Sequence, residues 1–556
     1  MPQIRWFVDV ESESLQTAVA QLRSTLVAAG FDDAGAVLSP AEVGAADAVV
    51  VWADRPLPED LVRALSNGAV RAVYAGPTLA DADPEGRLAE LAGLRGRGMT
   101  PSHDIRLRAG AGAEHVIGLP THSHGDVVHR DRHEHVTDRL LLVDKVTDDV
   151  EVIRTARVAL TEHPVMTWRP ATGTAAWTLG TTDGAVSNRA ATRLFVQLLR
   201  VVCDVPQPAP VRVGLLGYGA IGHEHSRAVQ SIDGLELVAV CDTSVERLAE
   251  AQASAPGVAG TTSADDLIAR DDVDLVVVST PPNSHAAWAQ RVIASGKHVI
   301  VEKPFAIRTA EADAVLDAAH DADLLAVVYQ NRRYDPDYVA LRKLVRAGVL
   351  GDVFHVETFV GGYGHPCNLW HSDADVSGGA FYDWGSHFID QMLDLIPGDI
   401  DYVTAVEHKL QWFDVTNADQ SRVTVHFANG VEAEFVHSDL AAALKPRWYV
   451  LGTKGAVVGH WRTEKIVSRN DVGTLVEDVL APADSPPVME LYSGDGAIST
   501  IPTPLGDPYG FHHELADYLH YGVPMTVTGA QSRRVLSVME AAALSAADGG
   551  RPVTPA

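Results

Sequence analysis

The stretch Val211–Asp242, VRVGLLGYGAIGHEHSRAVQSIDGLELVAVCD, decides how the rest of the chain is read. It opens on an apolar run, VRVGLLG, that reads as a buried parallel strand. Gly217, Gly219 and Gly222 follow in G-x-G-x-x-G spacing, and a helical pattern continues through His225 and Ala228. A second apolar strand, LELVAVCD, ends on Asp242, about twenty residues after the last glycine, where dinucleotide-binding folds place the acid that meets the ribose. Gly217 permits the tight turn, Gly219 lets the backbone approach a pyrophosphate, and Gly222 lets helix and strand pack closely. The pyrophosphate is expected on the free N–H groups that open the helix, with Tyr218, Ala220 and Ile221 completing the loop. A carboxylate at Asp242 accepts from the ribose hydroxyls of NAD and repels the phosphate of NADP. NAD is therefore the expected cofactor and NADP the less favoured one, with Arg247 partly offsetting the repulsion.

The fingerprint begins well past the first third of a 556-residue chain, a length that implies several structural units. Hydrophobic content of 46% and charged content of 21% describe an ordinary globular protein with large cores. A net charge of −29, from 44 basic and 73 acidic side chains, leaves no basic footprint for nucleic acid or an anionic membrane. Cys203, Cys241 and Cys367 stand far apart without CxxC spacing, so neither a disulfide framework nor a zinc ribbon is expected. The start, MPQIRWFVDVESES, lacks the apolar core of a signal peptide, and no apolar run reaches the roughly 20 residues of a membrane helix. A soluble, cytoplasmic protein is the expectation.

Before the fingerprint, residues 1–203 alternate strand-like segments (IRWFVDV, DAVVVWA, AVRAVYAG, LLLVDKV, ARVALTEH, PVMTWRP) with helical ones such as SLQTAVAQLRSTLVAAG and AATRLFVQLLRVVC. That alternation predicts an open parallel sheet with helices on both faces. Residues 119–135, LPTHSHGDVVHRDRHEH, crowd His122, His124, His129, His133 and His135 beside Asp126, Asp131 and Glu134. These are metal-ligating side chains, but their spacing matches no H-E-x-x-H pair, and a solvated loop titrating near neutral pH accounts for them. No metal is expected. Residues 204–210, DVPQPAP, hold three prolines in five residues and read as a linker.

After Asp242 the βα alternation continues, so the dinucleotide domain is expected to span 211–330. Thr280, Pro281, Asn283 and His285 fall at the carboxyl end of a strand, where ligands collect in open α/β sheets. From 331 to 556 the pattern changes to short alternating segments, among them DVFHVETFVGGYG, VEAEFVHSDL and EKIVSR, which predict an α+β domain with a large, mostly antiparallel sheet. Within it Asp383 and His387 stand four apart in a probable helix and so share one face. Lys303, after a buried strand and before a proline, is expected near the same point. An ammonium, a carboxylate and an imidazole together suit alcohol oxidation, the base taking the hydroxyl proton as hydride leaves the same carbon.

From about residue 211 onward the chain resembles the glucose–fructose oxidoreductase / inositol dehydrogenase (Gfo/Idh/MocA) family, through GLLGYGAIG, TPPNSH, EKP, QNRRYDPDY, GGAFYDWGSHFIDQ and the late LGTKG. The resemblance implies that Lys303 holds substrate hydroxyl and cofactor, Asp383 orients substrate, and His387 is the general acid/base. It places Glu302 and Gln330 at the cofactor, and Asn331, Arg332 and Arg333 near nicotinamide and substrate. Tyr363, Trp370 and His371 fall in the segment that lines the sugar pocket, Trp370 reading equally as a sugar platform or a core residue. The implied activity is NAD-dependent oxidation of a secondary hydroxyl of a sugar, sugar derivative or cyclitol, or the reverse reduction, in a homo-oligomer. The alternatives are glycoside cleavage through a transient keto-sugar and dinucleotide binding without net turnover.

Residues 1–203 resemble the trehalose-utilisation proteins, a flavodoxin-like branch related to class I glutamine amidotransferases, through DAVVVWADRPL, HDIRLRAGAGAEHVIGL and HPVMTWRPATGTAAWTLGTTDG. The only cysteine there, Cys203, ends the closing helix rather than occupying a strand-to-helix elbow. LGTTDG also lacks the histidine often found in that family. Keto-sugar handling or a scaffold role is what the resemblance leaves for this part.

Overall fold

A computed structural model describes the chain outside residues 38–39, 68–69, 110–134, 159–160, 207, 233, 367–369, 462, 471–472, 481–487, 505–506 and 508. Two compact units result. One comprises Met1–Val211, Ser231–Leu235 and His513–Met525, the other Arg212–Gln230, Glu236–His512 and Thr526–Ala556.

In the first unit, Asp32–Ala36, Gln3–Asp9, Ala48–Ala53, Arg71–Ala75 and Thr174–Trp177 lie side by side as parallel strands. Ala48–Ala53 is buried at every position, as befits a strand covered on both faces. Four further strands, Thr161–Arg169, Glu151–Val158, His103–Ala109 and His135–Asp138, extend the sheet antiparallel. The expectation of an all-parallel sheet is thus corrected for that half. Connection length is the reason: Val158 pairs with Thr161, only two residues further on inside ARVALTEH, and so short a link joins only antiparallel strands. The helix Arg189–Val202 is capped by the Asn188 carboxamide, which accepts the Ala191 N–H at 3.1 Å. It sets Phe195 among Trp6, Trp52 and Trp177 in the core.

Cys203 follows this helix, and burial pushes its thiol up to about 12, the opposite of an activated nucleophile. The histidine-rich stretch lies outside the described residues but for the strand that begins at His135, and so does Cys367. No metal-holding group of His, Cys, Asp or Glu occurs among the described residues.

The second unit opens on a six-stranded sheet in the order Ala259–Thr261, Leu235–Cys241, Val211–Leu216, Leu275–Val278, His298–Val301, Ala326–Val328. Chain order reverses between Val211–Leu216 and Leu275–Val278. The crevice outside their carboxyl ends is where doubly wound sheets of this order bind ligands. Beyond it an eight-stranded sheet runs Ile400–His408, Gln420–Phe427, Glu432–Ser438, Val353–Gly361, Trp448–Gly452, Gly455–His460, Val488–Ser493, Ile498–Thr500. Its strand pairings are antiparallel except at the centre, where Val353–Gly361 and Glu432–Ser438 are parallel. Helices Gly385–Leu395 and Gly529–Ala547 share one hydrophobic core with this sheet, through Ile389, Met392, Leu536 and Met539 against Val403, Val425 and Phe435. EKIVSR belongs instead to a separate ribbon, Thr463–Asn470 paired with Gly473–Leu480. Among the described residues no helix is long and apolar enough to cross a membrane.

Candidate active site

The three fingerprint glycines are there for different physical reasons. Gly217 has φ +102°, and a Cβ on it would lie 2.5 Å from the Ser279 carbonyl oxygen. On Gly222 a Cβ would lie 2.5 Å from the Gly217 oxygen, so this glycine lets the helix Ala220–Ser231 start against the turn. Gly219 has nothing within 4 Å of its Cβ position and lines a cavity of about 880 Å³ with Leu216, Ala220, Ile221 and Asp242. Asp242 accepts the Tyr218 N–H at 2.7 Å and the Ser244 N–H at 2.8 Å, with the Arg247 guanidinium 3.6 Å away. Open space over Gly219, helix-opening amides and a carboxylate at the second strand's end fit a dinucleotide's pyrophosphate and ribose.

Of the other expected cofactor residues, Thr280, Pro281, Glu302 and Lys303 line the same cavity. Tyr218 is not among the residues lining that cavity: Asp242 takes its N–H, and its side chain is buried with the hydroxyl 2.9 Å from Ser254 Oγ. His285 touches the cavity wall, yet its ring nitrogens each lie 2.7 Å from a main-chain oxygen, of Thr280 and of Pro304. Gln330 is buried and donates to the Ser386 oxygen at 3.2 Å, while Asn283 is exposed and lines none of the described cavities. His285 and Gln330 brace the walls.

At the end of the cavity Lys303 follows the strand His298–Val301 and donates from Nζ to Asp383 Oδ1 at 2.8 Å. Burial pushes the Asp383 carboxyl up, but the charge and hydrogen bond of Lys303, helped by His371 and His437, hold it below its ordinary value. Asp383 and His387 do not share a helix as expected. The short helix Ala380–Asp383 ends there, and Gly385–Leu395 restarts after Trp384, whose carbonyl accepts the His387 N–H at 3.1 Å. Both still reach one cavity of about 210 Å³, lined also by Lys303, Asn331, Arg332, Glu224 and Trp384. The His387 imidazole is 5% exposed, and its Nδ1 has no hydrogen-bond partner. Burial first, then Lys303, Arg332 and Arg447, hold its pKa well below the ordinary histidine value, so the ring is neutral.

Arg333, expected near nicotinamide and substrate, is a strut. It is buried, bonded to Asp390 at 2.8 Å and 3.0 Å from Asp394, charges that lie 57 or more residues away in sequence. Arg447 likewise bridges Asp335 at 2.8 Å and Asp337 at 3.4 Å, and Gln391 donates to the Arg332 oxygen at 2.6 Å. This network fixes the Asn331–Tyr334 turn against the cavity. Tyr363 is 60% exposed, bonded to Gln411, and lines none of the described cavities. Trp370 stacks on His371 at 3.6 Å, and both line the large cavity. Glu224 and Trp384 were missed from sequence. Glu224, two residues past Gly222, accepts the Tyr329 hydroxyl at 2.6 Å and faces both cavities. Its place in the first turn after the fingerprint was the available signal.

A groove of this kind, closing on a lysine and an unengaged imidazole, belongs to the NAD-binding oxidoreductases. Comparison narrows the class. Residues 211–330 match the oxidoreductase family with an NAD-binding Rossmann fold, GFO/IDH/MocA, and residues 338–458 match the GFO/IDH/MocA C-terminal domain. Together these two matches run from residue 211 to residue 458. It is 26% identical over 341 residues, 60% of this chain and 92% of the relative, to a scyllo-inositol 2-dehydrogenase (NADP(+)), IolW, of Bacillus subtilis. An uncharacterised oxidoreductase of Schizosaccharomyces pombe is 28% identical over 44% of this chain and 70% of its own length. Among solved structures, GenD2 from gentamicin A biosynthesis, in complex with NAD, superposes with a TM-score of 0.51 at 25% identity, covering 63% of this chain and 97% of GenD2.

Proposed function

We propose that this protein oxidises a secondary hydroxyl of a sugar, sugar derivative or cyclitol, or reduces the corresponding ketone, with Lys303, Asp383 and His387 as the working side chains. The observation that carries the reading is one cavity in which an ammonium, a carboxylate and a neutral imidazole meet at the end of the dinucleotide groove. Lys303 donates to the reacting oxygen and stabilises the negative charge that grows there as the hydroxyl proton departs. Asp383 holds Lys303 in place at 2.8 Å, and its second oxygen accepts a neighbouring substrate hydroxyl. The neutral His387 ring takes the proton in oxidation and returns it in reduction. NAD⁺, when bound, supplies the hydride acceptor. Asn331 and Arg332 offer polar groups to the remaining hydroxyls. Similarity to an inositol dehydrogenase supports a polyhydroxylated ring as substrate class.

Lys303→Ala tests the assignment. Turnover is expected to fall by about 10²–10⁴-fold, while NAD affinity by titration calorimetry stays near wild type. Wild-type-like turnover would sink the role given to Lys303.

A further inference from the structure

Beyond Asp383 and Trp384 lies another small cavity, of about 170 Å³, that the oxidation just described does not use. It shares those two side chains with the 210 Å³ cavity of Lys303 and His387, so the two compartments adjoin across them. Part of its wall comes from the eight-stranded sheet and its flanks: His437 lies one residue before the end of the strand Glu432–Ser438, Asp439 follows that strand, and Asn417 and Ala418 precede the strand Gln420–Phe427. His437 is 8% exposed, and its Nδ1 has no hydrogen-bond partner. Its Nε2 lies 3.6 Å from Asp439 Oδ1, too long for a hydrogen bond. The Asn417 carboxamide holds the floor by donating to the His371 oxygen at 2.7 Å. Buried imidazole nitrogens are ordinarily bonded, so an unpartnered one beside an open carboxylate is a site that favours hydroxyl groups. The Trp384 side chain, bordering both compartments, offers an apolar surface for the carbon face of a ring. At roughly 30 Å³ per water, this volume takes a single sugar ring and little more.

We propose that this cavity is a second sugar subsite, making the substrate a glycoside of two linked rings. One ring presents its secondary hydroxyl to Lys303 and His387; the other is hydrogen-bonded by His437 and Asp439. The proposal rests on the oxidoreductase reading and narrows its substrate class.

The test compares maltose, cellobiose, lactose, sucrose and trehalose with glucose, galactose, fructose and myo-inositol on the intact chain. Two readouts are taken: kcat/KM with NAD⁺, and binding to the NADH complex by calorimetry, which needs no turnover. At least one disaccharide is expected to exceed its component monosaccharides by about tenfold or more, a difference of one decade in the equilibrium constant. His437→Ala, and Ala418→Leu from another wall, should each shrink that ratio severalfold, with circular dichroism confirming the fold. Equal binding of one-ring and two-ring sugars overturns the proposal, as does an equal loss for both classes in the variants. If aryl glycosides gain as much as disaccharides, the cavity is an apolar aglycone site and the proposal also fails. Preferential disaccharide binding without any NADH formation would keep the subsite and refute the oxidoreductase reading instead.

Discussion

His387 is neutral because burial and the nearby cations Lys303, Arg332 and Arg447 all disfavour its charged form. A base that must accept a proton loses activity only where it is already protonated. The pH profile of kcat for oxidation is therefore expected to fall on the acid side alone, with a midpoint below the ordinary histidine value of about 6.5. A midpoint above that value, or an unchanged limb in His387→Asn, would contradict the role of this residue. Asp242 makes a second residue-level prediction. Removing its carboxylate in Asp242→Ala should raise the NADP-to-NAD ratio of kcat/KM by about tenfold or more, and unchanged selectivity would remove the argument for NAD from this position. Lys303 and Asp383 were legible because short local motifs, EKP and D-x-x-x-H, carry them. The strut made by Arg333 and the place of His437 were not legible because their surroundings are built by chain far away in sequence: Asp390 and Asp394 for the one, Asp383 and Trp384 for the other.

At the level of elements, the glycine turn separates folding from binding. Gly222→Ala drives a Cβ to 2.5 Å from the Gly217 oxygen, an overpacking cost of roughly 1–3 kcal/mol that should lower Tm. Gly219→Ala meets nothing within 4 Å, so its Tm should match wild type while NAD affinity drops, because the new methyl stands where the pyrophosphate approaches. The reverse pattern in thermal melts and NAD titrations would contradict the placement of the groove. The period-2 and βα patterns made the Rossmann strands readable, each being a short buried apolar run. Two features escaped that logic. Spacing of four suggested one helix for Asp383 and His387, but the chain breaks at Trp384, and the restart still delivers both side chains to one cavity. In the first unit, the antiparallel strands after His103 look much like the parallel ones in sequence, and only the short spacing between the paired Val158 and Thr161 betrays their direction.

For the molecule as a whole, the late fingerprint has a structural counterpart. The sheet that begins at Val211 has the dinucleotide-binding strand order, and its switch point opens on the cavity holding Lys303. The unit built on Met1–Val211 has its own nine-stranded sheet and core. Composition and charge could not name a substrate, since the side chains lining the cavities are gathered from the Rossmann turn, the Asp383–His387 segment and the residues beside the sheet. The central claim is net hydride transfer from a polyol to NAD, and it is tested most directly by incubating the intact chain with NAD⁺ and a panel of free sugars, inositols and glycosides while following NADH absorbance. The account predicts stoichiometric NADH with at least one of them and none without substrate. No NADH from any member, or glycoside cleavage without net NADH, would contradict it.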